Sequence, residues 1–263
     1  MLQTSLSDVV AVRIAAPHVA LVTINRPEAR NAVNVPVAEG IARALEESES
    51  DEDIWVVVLT GAGGKAFSAG ADIKEVAAGR ALSLRTERGG FAGFAHYPRE
   101  KPWIAAVDGF ALGGGCELAL ACDMIVATEQ STFGLPEPKR ALIAGAGGAY
   151  RLSRVLPRNV ALELIATGAD LPAARAFALG MVNRLAPPGQ AVETALELAA
   201  RVCACAPVAV RESLKVARAS PDHDDAALRA LTFAGMERNG KTADFKEGPR
   251  AFIEKRQPKW TGR

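Results

Sequence analysis

Three short apolar runs recur in the first half of the chain, and segments with helix-like patterns separate them. These runs are residues 54–60, 103–107 and 124–127. The first has no polar alternation, which predicts a strand covered on both faces. Strands that alternate with helices favour parallel pairing, because parallel strands need long crossover connections. We therefore expect an α/β fold.

The two ends of the chain differ from this central pattern. Residues 9–14 and 19–24, separated by a turn at Pro17, predict a β-hairpin. From Pro36 to the acidic run at 46–53, apolar residues recur at helical spacing, which predicts a helix. The segment 78–100 is rich in Gly, Arg and Glu and has weak periodicity, which predicts a mobile or irregular helical segment. Beyond residue 152 the chain is expected to be helical, with helices at 157–167, 172–179, 189–205, 207–219 and 224–238.

Charge and composition exclude several classes of protein. The 263 residues include 31 basic and 30 acidic side chains, so the chain lacks the basic excess of a nucleic-acid-binding protein. Carboxylates such as Glu117 and Glu163 interrupt the most apolar stretches, which argues against a membrane span. The first twelve residues have no secretory pattern. Four cysteines without zinc spacing are typical of a reduced protein, and we expect a cytoplasmic chain without a metal site.

Two glycine-containing turns, at 69–72 and 113–115, each lead from a predicted strand toward a helix. The first amides of a helix lack internal acceptors and favour an anion. A tight turn without any ligand would explain the glycines equally well. Neither a phosphate-loop motif nor a dinucleotide fingerprint is present. If the two turns converge, their amides could form an oxyanion hole.

Two glutamates lie near these turns and the strand that follows them. Glu117 falls in the first turn of an apolar helix, where the helix dipole alone would favour a carboxylate. Glu137 lies between two prolines, where a loop carboxylate paired with Lys139 or Arg140 is the simpler interpretation. In one cleft, the two carboxylates could divide the roles of acid and base. Ser68 lacks the motif of a serine nucleophile.

Three motifs, in this order and spacing, resemble those of the crotonase (enoyl-CoA hydratase/isomerase) superfamily. They are residues 66–74 (AFSAGADIK), 111–119 (ALGGGCELA) and 133–137 (FGLPE). The resemblance extends to 24–32, 145–152 and 252–256, and so covers nearly the whole chain. It implies a crotonase-like spiral of β-β-α turns over residues 1–200, which would carry the CoA and catalytic sites. It also implies a C-terminal helical trimerisation region over 201–263, in a homotrimer or a dimer of trimers.

The resemblance also implies roles for individual residues. The amides of Ala71 and Gly114 would form the oxyanion hole for the thioester of an acyl-CoA substrate. Glu117, as a carboxylate, would deprotonate water, and protonated Glu137 would deliver a proton to the Cα atom. The residues implied in substrate or CoA binding are Arg30, Ala69, Asp72, Ile73, Gly145, Phe252 and Lys255. Phe252 and Lys255 would reach the CoA of a neighbouring subunit, and no cofactor is implied because coenzyme A is part of the substrate.

The chain departs from the family pattern after Glu137. The usual continuation is apolar, whereas residues 138–144 read PKRALIA, and Ala149-Tyr150 replaces a polar pair. The pair Lys139 and Arg140 is expected to point outward, or else to lower the pKa of Glu137. Because both glutamates are present, we expect an enoyl-CoA hydratase. The alternatives are an isomerase of the same fold, an enzyme like carnitinyl-CoA dehydratase, or a non-catalytic acyl-CoA-binding protein.

Overall fold

The computed structural model describes residues 9–263, in which strands and helices alternate before a helical C-terminal part. The strands are β1 (Val10–Ala16), β2 (Val19–Ile24), β3 (Val56–Gly61), β4 (Ala66–Ser68), β5 (Arg85–Thr86), β6 (Gly90–Phe91), β7 (Trp103–Val107), β8 (Phe110–Leu112), β9 (Met124–Thr128), β10 (Thr132–Gly134), β11 (Asp170–Pro172) and β12 (Arg184–Ala186). The α-helices are α1 (Val35–Ser50), α2 (Ile73–Ala77), α3 (Gly114–Ala121), α4 (Gly148–Val155), α5 (Arg158–Thr167), α6 (Ala173–Ala178), α7 (Ala191–Cys203), α8 (Pro207–Ala219), α9 (Asp225–Gly240) and α10 (Ala243–Ile253).

The main sheet contains the apolar strands that the sequence predicts. Its order is β1-β2-β3-β7-β9-β12, with β1 antiparallel to β2 and every other neighbouring pair parallel. All five residues of β7 are buried, because apolar clusters cover both faces of the sheet. The expected hairpin and the expected α/β class are both confirmed.

A second, smaller sheet has the order β11-β10-β8-β4. Its strands β4, β8 and β10 are parallel, and each follows a strand of the main sheet. The chain thus repeats one unit: β3-β4-α2, then β7-β8-α3, then β9-β10-α4. This is the β-β-α spiral that the resemblance implies. The sequence did not reveal β4, β8 or β10, because three residues are too few to establish a period.

The segment 78–100 is less helical than expected. It contains a 3-10 helix at Ala81–Leu84 and the small antiparallel pair β5 and β6. Phe91, Phe94 and Ala95 are buried, so the segment forms a wall of the core. The prediction of irregular helical structure is therefore wrong for residues 85–91.

The C-terminal part is helical, as expected. An ion pair and several hydrogen bonds from one arginine join it to the main sheet. The Arg218 guanidinium on α8 donates to both carboxylate oxygens of Asp123, at 2.7 and 2.8 Å. It also donates to the carbonyl oxygens of Arg99 and Lys101, at 2.6 and 3.1 Å. The predicted boundary at residue 200 falls within α7, and the division at this point stays a prediction. Among residues 9–263, no helix is long and apolar enough to span a bilayer.

Candidate active site

A cavity of about 400 Å³ lies between the two glycine-containing turns and the loops that follow β10. Ala71 and Gly114 line it from the two turns, and Glu117 and Glu137 line it from the side of the loops. A larger surface depression, of about 600 Å³, lies beside α10. The Glu247 carboxylate that lines this depression already forms an ion pair with Arg256 at 2.6 Å. The smaller cavity is thus the better candidate for chemistry.

The two turns meet because their strands are neighbours. Strands β4 and β8 pair in parallel, so the turns that follow them leave the same edge of the sheet. A Cβ atom placed on Gly70 would lie only 2.6 Å from the nitrogen of Gly114. Gly70 has a φ of +85°, a conformation that favours glycine. The main chains are therefore in contact, which requires glycine at this position.

Two amides at this contact have no acceptor among residues 9–263. In the first turn, the amide of Gly70 donates to Ser68 Oγ at 3.1 Å. The amide of Asp72 donates to the carbonyl oxygen of Val33 at 2.9 Å. No residue in the described range accepts a hydrogen bond from Ala71 between them. The same holds for Gly114, the first residue of α3. Both amides line the cavity and are available to bind an oxygen atom there.

Glu117 is held by the backbone of the loop before α4. Its side chain is buried, and its Oε1 atom accepts hydrogen bonds from the amides of Ala146 and Gly148 at 2.7 and 2.8 Å. Burial raises the pKa of Glu117, whereas these two bonds oppose the rise because they stabilise the carboxylate. Within residues 9–263, no group donates to Oε2, so that oxygen is free to bind water.

Glycine is required where the loop meets Glu117. A Cβ atom on Gly148 would lie 2.9 Å from Cγ of Glu117 and 2.9 Å from Cδ2 of Leu135. Any larger residue would displace the carboxylate or the leucine. Because the backbone approaches so closely here, the amides of Ala146 and Gly148 can both reach the buried carboxylate of Glu117.

Glu137 presents a different environment. Its Oε2 atom is buried and has no hydrogen-bond partner among the residues described. Burial raises the pKa of Glu137, and the residue's own backbone amide and then Arg140 oppose the rise more weakly. An unpartnered oxygen in an apolar setting favours the protonated form.

The two expectations about the residues after Glu137 hold in part. Lys139 and Arg140 are both exposed, as expected, but Arg140 also lines the cavity. Arg140 lowers the pKa of Glu137, as the alternative expected, but burial raises this pKa more, so that the net change is upward. Glu137 does not form an ion pair with Lys139 or Arg140 in the described part of the chain.

Sequence reasoning missed one residue that supports the site. Arg151 on α4 donates to the carbonyl oxygen of Ala146 at 2.9 Å and to that of Ala95 at 2.5 Å. It therefore ties the loop that holds Glu117 to the segment that forms the opposite wall. Its cation also opposes the rise in the pKa of Glu117. The sequence did place Arg151 within the 145–152 motif. Its role could not be inferred from this, because its partners are backbone carbonyl oxygens, which a sequence motif does not identify.

The other predicted site residues divide into two groups. Ala69, Ile73 and Gly145 line the cavity. They do so together with the two oxyanion-hole residues and the two glutamates described above. Four others do not line it and keep their predicted roles as predictions; these are Arg30, Asp72, Phe252 and Lys255. The Asp72 side chain caps α2 and pairs with Arg26 at 3.3 Å, so its carboxylate already has partners. Phe252 is 84% exposed.

Comparison with known proteins points to one family. The family described as enoyl-CoA hydratase/isomerase matches residues 15–263. A short-chain-enoyl-CoA hydratase of Clostridium acetobutylicum is 39% identical over 91% of this chain and 92% of its own. A carnitinyl-CoA dehydratase of Salmonella typhimurium is 37% identical over 92% of this chain and 94% of its own.

Solved structures agree with this result. An enoyl-CoA hydratase of Mycobacterium tuberculosis is 43% identical, with a TM-score of 0.93, and the match covers 98% of this chain and 100% of that one. A carnitinyl-CoA hydratase of Mycobacterium avium is 46% identical over the same shares, with a TM-score of 0.76.

Proposed function

This chain belongs to the enoyl-CoA hydratase/isomerase family, and we propose that it adds water reversibly to a 2-enoyl-CoA thioester to give a 3-hydroxyacyl-CoA. One observation carries the proposal. A single cavity contains two amides that have no acceptor among residues 9–263 and two carboxyl groups in different environments, one buried at Glu117 and one half-buried at Glu137. Coenzyme A enters as part of the substrate, and the mechanism uses only side chains and amides of this chain.

The two amides act on the thioester oxygen. When water attacks the Cβ atom, negative charge develops on this oxygen as an enolate forms. The N–H groups of Ala71 and Gly114 stabilise that charge, and Gly114 adds the positive end of α3. Loss of one such donor typically costs about 3 kcal/mol of transition-state stabilisation.

The two glutamates move the protons. Glu117, whose carboxylate form is stabilised by its two amide bonds, takes a proton from the attacking water. Glu137, whose protonated form is favoured by burial, gives its proton to the Cα atom. The elements of one water molecule are thereby added. Both glutamates line the same cavity, which supports addition of the hydroxyl group and the proton to the same face of the double bond. Dehydration runs through the same steps in reverse.

Crotonyl-CoA tests the proposal directly. We expect the purified protein to remove the absorbance of the conjugated thioester and to form 3-hydroxybutyryl-CoA. Conversion of 3-butenoyl-CoA to crotonyl-CoA without hydration would instead indicate an isomerase. Binding of crotonyl-CoA without any turnover would indicate a non-catalytic protein, and either result would contradict the proposal.

Arg151 provides a second test, which concerns pH. Glu117 must be ionised to accept a proton, so activity falls as the pH decreases through its pKa. Arg151→Gln removes a cation that opposes the rise in this pKa, and the acidic limb of the kcat/KM profile should move to higher pH.

Two controls separate charge from packing. Arg151→Lys keeps the charge and should leave the limb near its original position. Arg154→Gln removes a more exposed arginine that pairs with Asp222 at 2.7 Å and should not move the limb. An unmoved limb in Arg151→Gln would contradict the assignment of Glu117 as the base.

The carnitinyl-CoA dehydratase relatives favour one second candidate, the dehydration of an acyl group that carries a quaternary ammonium. The two candidates share their chemistry and differ only in the acyl group.

We further propose a cytoplasmic homotrimer or dimer of trimers. The exposed apolar side chains of the C-terminal helices support this assembly; Phe233 is 66% and Met236 62% exposed. Native mass spectrometry would give the number of subunits, and a monomer at micromolar concentration would contradict the proposal.

A further inference from the structure

The lining of the cavity that contains the glutamates also combines an apolar wall with two cations. Leu84, Leu142 and Ile143 contribute apolar surface, and the side chains of Arg85 and Arg140 line the same space. An aliphatic acyl chain would need only the apolar wall. Both arginines are exposed, so their guanidinium groups contact solvent as well as the cavity, where they can meet the end of an acyl chain.

Neither arginine is neutralised by a carboxylate of the described residues. Within residues 9–263, no carboxylate forms an ion pair with Arg85 or Arg140. The one hydrogen bond described for the Arg140 side chain is a long one, at 3.5 Å, to the carbonyl oxygen of Pro136. Glu75 precedes Val76, a residue of the cavity lining, but its carboxylate is bound to Arg80 at 2.7 Å. Both cations thus remain available to a ligand.

The surrounding charges compensate for these cations only in part. In the proposed mechanism Glu137 is protonated, so the ionised Glu117 is the one negative charge among the described residues that line the cavity, against two arginines. Near Arg85, His96 has a lowered pKa because of burial and then of the neighbouring Arg151 and Arg85. The positive potential in this part of the cavity favours an anionic group and disfavours a cationic one.

We propose that Arg85 and Arg140 select 2-enoyl-CoA substrates whose acyl chain ends in a carboxylate. This inference rests on the proposed hydratase function and names its substrate class. Guanidinium groups suit a carboxylate because they present several donors in a planar arrangement. The same two cations repel a quaternary ammonium, which separates this chain from the carnitinyl-CoA enzymes that it resembles in sequence.

The test compares three thioesters that share the reacting double bond. Glutaconyl-CoA carries a terminal carboxylate, its terminal amide is a neutral substrate of nearly equal shape, and 4-(trimethylammonio)crotonyl-CoA carries a cation. We expect kcat/KM for the acid to exceed that for the amide by about tenfold or more, since hydrogen bonds to charged groups are the stronger ones. The cationic substrate should be the poorest of the three.

Variants assign this preference to the arginines. Arg85→Gln and Arg140→Gln should each lower the ratio of kcat/KM for acid over amide by about three- to tenfold, and the double variant should bring it close to one. The ratio cancels any effect of Arg140 on Glu137, because both substrates use the same acid. Arg88→Gln is the matched control: its guanidinium lies 4.3 Å from the ring of Tyr97, outside the cavity, and its removal should not change the ratio.

Each other outcome overturns the inference. If the arginines bind the phosphates of coenzyme A, both substrates weaken together in the variants and the ratio stays constant. An acid hydrated no faster than its amide, or a preference for the ammonium substrate, would also contradict it. Failure of the hydratase proposal is distinct, because none of the thioesters, crotonyl-CoA included, would then be hydrated.

Discussion

Glu117→Gln and Glu137→Gln are each expected to lower kcat for the hydration of crotonyl-CoA by about 10²- to 10⁴-fold, the usual contribution of a positioned acid or base. Glutamine keeps the shape of glutamate but neither accepts nor donates a proton in this reaction. In Glu117→Gln, the side-chain oxygen can still accept the amides of Ala146 and Gly148. The fold should therefore survive, which thermal unfolding of both variants would establish.

The two variants should differ in a second reaction. Exchange of the Cα proton of butyryl-CoA with deuterated water requires enolate formation and the residue that faces Cα, but no attack by water on Cβ. Glu137→Gln should abolish this exchange, whereas Glu117→Gln should retain most of it. Equal loss in both variants would contradict the division of roles between the two glutamates.

Local sequence signals predicted the parts of the site that local structure determines. The turns at 69–72 and 113–115 were recognisable from their glycines, and Glu117 from its place in the first turn of a helix. The apolar runs predicted the main sheet because buried parallel strands are nearly continuous in their hydrophobicity. The residue-by-residue assignment of the cavity came from the resemblance to a family.

The features that escaped prediction depend on contacts between distant segments. The convergence of the turns follows from the pairing of β4 with β8, and each of these strands is too short to be recognised. Arg151 acts on backbone carbonyl oxygens, which carry no sequence signal. Arg140 was expected to point outward, and it is exposed, but its 3-10 helix ends at the left-handed Ala141 beside the cavity, so that Arg140 lines the cavity as well.

Removal of the Ala71 N–H group should lower kcat by about 10²- to 10³-fold, since this is the usual effect of losing one donor to an oxyanion. Incorporation of L-lactic acid at position 71 by nonsense suppression replaces the amide with an ester and keeps the methyl group. Because this N–H donates to no residue in the described chain, the thermal unfolding temperature should change little.

The same exchange at Ala78 is the control. The Ala78 amide donates to the carbonyl oxygen of Lys74 at 3.1 Å, outside the cavity, so the ester there should weaken α2 slightly and leave kcat intact. The decisive quantity is kcat of the position-71 ester protein with crotonyl-CoA, relative to the Ala78 control. A loss of at least a hundredfold would support enolate stabilisation by main-chain nitrogen, and an ester protein as fast as the control would contradict it.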